Sequence, residues 1–224
     1  MFDANCLKLM FVAGSQDFYY IKGGKNDRIN ALLETLESAL QSKITAFQFR
    51  QKGDLALQDP TQIKQLALEC QKLCQKYSVP FIVNDEAKLA LELKADGVHV
   101  GQEDMAIEEV ITLCKKRQFI GLSVNTLEQA LKARHLDAVA YFGVGPIFPT
   151  PSKKDKQVVG VELLKKIRDS GVKKPLIAIG GINTDNASKL RECGISGIAV
   201  ISAIAQAKDK ALAVGKLLKI REGF

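Results

Sequence analysis

The stretch 47–54, FQFRQKGD, sets a glutamine, an arginine and a lysine at alternate positions: Gln48, Arg50 and Lys52. Successive side chains of a strand point to opposite faces, so these three share one side as far as the strand persists, while Phe47 and Phe49 share the other. Elsewhere polar residues stand where apolar runs stop. Asn84-Asp85 follows PFIV, GQED follows DGVHV, Ser123 follows IGL, and PTPSKKD follows AYFGVGPIF. Any one of these is ordinary loop or helix-cap chemistry. Gathered at one end of one barrel they would form a site.

The elements that must gather them are legible from periodicity. Short β-branched or apolar runs at 7–13, 44–49, 79–83, 97–99, 119–122, 138–144, 176–179 and 197–200 read as strands. Amphipathic stretches at 28–41, 60–76, 86–93, 107–116, 127–133, 160–170, 185–193 and 203–219 read as helices between them. Asp59 before Pro60, and Asn125 or Thr126 before Leu127, are usual helix-start chemistry. Strict alternation demands a parallel sheet covered by helices, and eight units is the number that closes a (β/α)₈ TIM barrel, here one domain over residues 1–224. The competing open doubly wound sheet loses its dinucleotide-binding form, because VAGSQD stands after the first strand instead of a G-x-G-x-x-G.

Composition removes other classes. The net charge of +7 is spread along helix faces, tryptophan is absent and no nucleic-acid motif occurs, so nucleic acid is not the expected partner. A basic excess instead suits small phosphorylated substrates by raising their local concentration. No apolar run is long enough to span a membrane and the N-terminus is broken early by Asp3, Asn5 and Lys8, so a cytoplasmic protein with no membrane partner is expected. The five scattered cysteines, Cys6, Cys70, Cys74, Cys114 and Cys193, read as buried thiols. A homo-oligomer is left open.

The ordered series QFRQK, VND, ADGVHVGQEDM, GLSVNT, FGVGPIFPTPSKKD, IAIGGI and GIAVISAI, from residue 48 to residue 204, closely resembles the motif series of the thiamine phosphate synthase family. That family is a (β/α)₈ barrel that joins hydroxymethylpyrimidine diphosphate to thiazole phosphate, releases pyrophosphate and uses magnesium. The resemblance implies pyrimidine diphosphate contacts for Gln48, Arg50, Lys52, Asn84, Ser123 and Lys153, with Lys52, Ser123 and Lys153 catalytic. It assigns Mg2+ to Asp85 and Asp104, and the thiazole phosphate to Thr150, Ser152, Gly180, Gly181, Ile201 and Ser202. Three departures stand out: Gln51 replaces the usual glutamate and, facing away from Lys52, is expected to matter little; Thr150-Pro151-Ser152 replaces Thr-x-Thr; and the first strand differs, so no role carries over there.

Physical chemistry makes these roles reasonable. A hard cation bound to a diphosphate prefers one or two carboxylates plus phosphate oxygens and water. Lysines supply point charges to the same group and arginine a planar fork. IGGI and VIS can bring backbone amides against a second phosphate. No covalent nucleophile is implied, since neither His99 nor His135 stands beside a plausible one, and His99 reads as a strand-end core or supporting residue. An aminopyrimidine stabilises a benzylic-type cation, so pyrophosphate is expected to leave before the thiazole nitrogen attacks. The long connection 149–160, with Lys153, Lys154 and Lys156, is expected to cover bound diphosphate as a lid. A thiazole tautomerase-like paralogue would need neither Lys52 nor both aspartates. A non-catalytic barrel that binds a phosphorylated metabolite is the other alternative.

Overall fold

Eight short parallel strands close on themselves in sequence order: β1 (Leu9–Ala13), β2 (Ala46–Phe49), β3 (Phe81–Asn84), β4 (Gly97–Val100), β5 (Phe119–Val124), β6 (Val139–Val144), β7 (Leu176–Ile179) and β8 (Gly197–Val200), with β8 paired to β1. The expected barrel is therefore the observed one. This computed structural model describes residues 2–115, 117–150 and 157–221. Ser152 and Lys153, and the lid expected around Lys154 and Lys156, lie outside the described residues.

The outer layer comprises α1 (Lys25–Gln41), α2 (Pro60–Lys76), α3 (Ala87–Glu92), α4 (Ile107–Cys114), α5 (Leu127–Ala133), α6 (Gly160–Asp169), α7 (Ser202–Ala205) and α8 (Lys210–Arg221). The expected caps are present, for Asp59 accepts from the Gln62 amide at 2.8 Å and Thr126 from the Gln129 amide at 3.2 Å. Two helical expectations are corrected. Only a 3-10 turn, Ala187–Leu190, forms within 185–193, because the Asn183 side chain accepts from the Asp185 and Asn186 amides and spends that segment on a turn. The helix expected over 203–219 is two helices, since Asp209 accepts from the Leu212 amide at 2.8 Å and starts α8 afresh. Strand one begins at Leu9 rather than Leu7, which belongs to a 3-10 turn, Ala4–Leu7, capped by Asp3.

Two apolar layers follow from period-two alternation. Phe11, Phe47, Phe49, Phe81, Val83 and Val98 point outward into the large layer against the helices. Met10, Val12, Ala46, Ile82, Tyr141, Ile177 and Ala199 fill the barrel interior. At the N-terminal end Phe2 closes the floor, its ring 5.1 Å from Phe119 and 6.2 Å from Tyr141. The filled floor leaves only the C-terminal end open, and the polar strand ends meet there. Cys70, Cys74, Cys114 and Cys193 are buried, Cys6 is partly so, and all five are free thiols.

Phe47 is wholly buried between Phe11 and Phe81, with ring centroids 5.6 and 6.3 Å away. Phe47→Ala is expected to cost about 3–5 kcal/mol by opening a cavity in this layer. A lowered midpoint in urea unfolding, with unchanged slope, is the result that checks it.

Candidate active site

A cavity of about 850 Å³ occupies the C-terminal mouth of the barrel, and Gln48, Arg50, Lys52, Asn84, Asp85, Asp104, Ser123, Thr150, Gly180, Gly181, Ile201 and Ser202 all line it. Every candidate residue that the structure describes is thus brought to one place. β2 stops at Phe49, yet Arg50 and Lys52 stay on the cavity side expected of them, continuing the inward direction of Gln48.

The charged centre comes from three successive strand ends. Lys52 Nζ lies 2.7 Å from Asp85 Oδ2 and 3.4 Å from Asp104 Oδ1, so one ammonium bridges two carboxylates. Asp104 is fixed by the Gly101 amide, which donates to its Oδ2 at 2.8 Å. Asp85 has φ of +64°, a left-handed conformation that a short polar side chain tolerates better than most, and its amide donates to the His99 carbonyl at 2.8 Å. Backbone strain is accepted here to aim a carboxylate into the mouth.

Electrostatics separate the two acids. Burial, then the neighbouring Asp104, raises Asp85 above the ordinary carboxylate range despite Lys52. Burial also pushes Asp104 upward, but the hydrogen bond to Asp85, the Gly101 amide and Lys52 outweigh it, so Asp104 is lowered. For Lys52 burial acts downward, and the two carboxylates overcome it and raise the ammonium.

A second polar chain runs up the inside of the barrel. His99 Nδ1 is 3.0 Å from the Tyr141 hydroxyl, and His99 Nε2 is 2.9 Å from Ser123 Oγ. Tyr141 is turned inward by an irregularity in the β5–β6 pairing, where Ile120 faces Val139 but Gly121 faces Tyr141. A side chain on Gly121 would overlap both Tyr141 and His99, so glycine makes the pairing fit. Full burial drives the Tyr141 phenol far above its ordinary value, and Gln48 also hydrogen-bonds to it. The phenol therefore keeps its proton and has one to offer to His99 Nδ1. With the phenol as donor the ring proton would stand on Nε2, which would donate to Ser123 Oγ and direct the serine hydroxyl proton toward the cavity.

Sequence reading had left His99 in a supporting or core role, and it missed Tyr141. Simple alternation over 138–144 sets Tyr141 with Val139, whereas Val139 packs outward among the helices. Gly121 and Gly143, both against His99, were the available signal. Gln51 also needs correction. It does face away from Lys52, but its Oε1 accepts from the Leu57 amide at 3.1 Å and from the Ser15 hydroxyl at 3.2 Å, so it fastens the β2 loop.

On the opposite side, Gly180 and Gly181 have φ of +99° and +66°. A Cβ on Gly181 would overlap the Pro149 and Phe148 carbonyls, so only glycine lets these two turns touch. The Asn186 side chain donates to the Gly181 carbonyl at 2.8 Å and fixes the turn.

The tautomer is measurable without any ligand. In ¹⁵N spectra His99 is expected to show a protonated Nε2 and an unprotonated Nδ1, and Tyr141→Phe to bring both tautomers into exchange. His135→Gln separates the only other histidine signal. A protonated Nδ1 in the unaltered protein would contradict the assignment.

Comparison with known proteins gives concordant matches. The thiamine monophosphate synthase family model matches residues 18–204. A Helicobacter pylori thiamine-phosphate synthase is 91% identical over 218 residues, covering 97% of this chain and 99% of that protein. A Pasteurella multocida thiamine-phosphate synthase is 52% identical over 213 residues, with 95% of each chain covered. The solved thiamine phosphate pyrophosphorylase of Pyrococcus furiosus superposes with a TM-score of 0.81 at 36% identity, covering 98% of this chain and 97% of that one.

Proposed function

This chain belongs to the thiamine monophosphate synthase family, and from that premise we propose how the barrel mouth performs the family's reaction. The reaction joins a hydroxymethylpyrimidine diphosphate to a hydroxyethylthiazole phosphate, giving thiamine phosphate and pyrophosphate. The observation that carries the division of the site is the Lys52, Asp85 and Asp104 cluster on one side of the cavity, with the Gly180-Gly181 turn on the other.

The diphosphate belongs beside the cluster. Arg50 and Lys52 face its oxygens, the first as a fork and the second as a point charge. Asp85 and Asp104 fit magnesium. Both donors are carboxylate oxygens directed into an open cavity, the donor chemistry of a hard cation shared with a phosphorylated substrate, and a cation, the Lys52 ammonium, already lies between them. Magnesium, when bound, neutralises charge that develops on the departing diphosphate. Among the described residues no cluster of three or more potential ligands occurs, which agrees with a cation that substrate oxygens help to hold.

The pyrimidine lies above His99 and Ser123, with Gln48 and Asn84 at its edge. The Ser123 proton meets a ring acceptor and fixes the ring so that its methylene faces the second substrate. Thiazole phosphate occupies the side formed by Thr150, Gly180, Gly181, Ile201 and Ser202. The carbon–oxygen bond to pyrophosphate breaks first, the amino-substituted ring carries the positive charge, and the thiazole nitrogen then forms the new bond to the methylene. The chain supplies alignment and electrostatic stabilisation, without a covalent intermediate. A tautomerase-like role makes no use of Lys52 and both aspartates, which this site brings together.

Among the described residues no helix is long and apolar enough to cross a membrane. Five free thiols suit the reducing cytoplasm.

Excess chelator is expected to abolish thiamine phosphate formation and added magnesium to restore it. Asp85→Asn and Asp104→Asn are expected to lower kcat by about a hundredfold each, with unchanged circular dichroism. Full activity in chelator would remove the metal from the reading. Steady-state kinetics with each substrate varied in turn test the division of the site: Lys52→Ala is expected chiefly to impair use of the pyrimidine diphosphate, and Gly181→Ala chiefly to raise KM for thiazole phosphate. Equal effects on both substrates would contradict it.

A further inference from the structure

The loop after β1, Gly14-Ser15-Gln16-Asp17, contributes no described residue to the cavity lining, yet Ser15 and Asp17 are buried. Its polar groups are directed at one neighbour. Asp17 Oδ2 accepts from the Gly14 amide at 2.9 Å and from Gln16 Nε2 at 2.8 Å. The same Gln16 nitrogen donates to the Arg50 carbonyl at 2.7 Å, while the Arg50 amide donates to the Ala13 carbonyl at 3.0 Å. The peptide groups on both sides of the Arg50 Cα are therefore tied to the end of β1. Gly14 lies so close beneath that a Cβ there would overlap the Arg50 carbonyl.

A buried carboxylate is an expensive way to cap one short 3-10 turn, for which a serine or asparagine serves. What a carboxylate adds is charge, and among the described residues Arg50 is the charged group that acts on Asp17. Among the described residues, moreover, Arg50 belongs to no ion pair, and its side chain lines the cavity.

We propose that Gln16 and Asp17 are positioning residues of the diphosphate subsite, holding the Arg50 backbone so that its guanidinium fork meets the diphosphate already aligned. This rests on the reading of Arg50 as a diphosphate ligand. Burial raises Asp17 to about 6, against the opposing pull of the Gly14 amide, Arg50 and Gln16. Above that pH Asp17 is ionised and holds both donors. Below it Oδ2 still accepts both donors, but the added proton removes the charge that strengthens the two bonds and so loosens the Gln16 link.

Three variants test this: Asp17→Asn, Gln16→Met, which keeps the side-chain length without the amide, and Arg50→Ala as the reference. Asp17→Asn and Gln16→Met are each expected to raise KM for the pyrimidine diphosphate by about tenfold at pH 8, leaving KM for thiazole phosphate within about twofold. The ratio of the Asp17→Asn KM to the unaltered KM, taken at each pH so that the substrate's own titration cancels, is expected to fall toward unity as pH drops below 6. Gln16→Met keeps the test open should Asp17→Asn fail to fold. If Arg50→Ala raises the pyrimidine diphosphate KM while neither loop variant does, or if both substrates suffer equally, the positioning role is overturned. If Arg50→Ala itself leaves that KM unchanged, the underlying assignment of Arg50 fails instead.

Discussion

One lysine ammonium held between two carboxylates, Lys52 between Asp85 and Asp104, is the interaction on which the rest of this site depends. Each partner follows a different strand, β2, β3 and β4, and the parallel pairing of these three neighbours brings their ends within bonding distance. The cluster can exchange its occupant. The Lys52 side chain is 54% exposed on a flexible stem, so in the proposed reading it leaves the carboxylates to a divalent cation and turns to the diphosphate oxygens. In that reading cation and lysine would act on the same leaving group rather than compete for one place. This is also why the static pair contributes little to stability: an ion pair so exposed is screened by water.

Around that centre the barrel applies one rule repeatedly. Inward positions near the C-terminal ends of the strands carry polar groups, and inward positions lower down carry Met10, Ala46, Ile82 and Ile177, so chemistry is confined to one end by a filled floor. The Tyr141, His99 and Ser123 chain links the two zones. A phenol too deeply buried to ionise lies 3.0 Å from one imidazole nitrogen, and the other nitrogen lies 2.9 Å from the serine hydroxyl at the cavity wall. The site is thereby set before a substrate arrives, as electrostatic catalysis requires.

Much of this was legible in the sequence because β alternation is local. Gln48 is set inward by alternation alone, Asn84 and Ser123 stand where apolar runs stop, and all eight strands coincide with apolar runs of the sequence. What was not legible depended on a competing local bond or on pairing. Asn183 diverts 185–193 into a turn by accepting two amides, and Asp209 caps a new helix inside what reads as one. Tyr141 turns inward through a pairing irregularity with β5 that the β6 sequence by itself cannot reveal. Gln51 looked idle because its partners, Ser15 and Leu57, come from one loop far away in sequence and another whose path was unknown.

In the proposed reading the space between Asp85 and Asp104 is the cation site, and Lys52 yields it to serve the diphosphate. A crystal structure with manganese and pyrophosphate, the metal located by anomalous scattering, tests this most directly. Metal density bound by Asp85 and Asp104 is expected, with the Lys52 ammonium moved onto a pyrophosphate oxygen. Pyrophosphate bound with Lys52 still bridging both carboxylates, or manganese held elsewhere on the barrel, would contradict it.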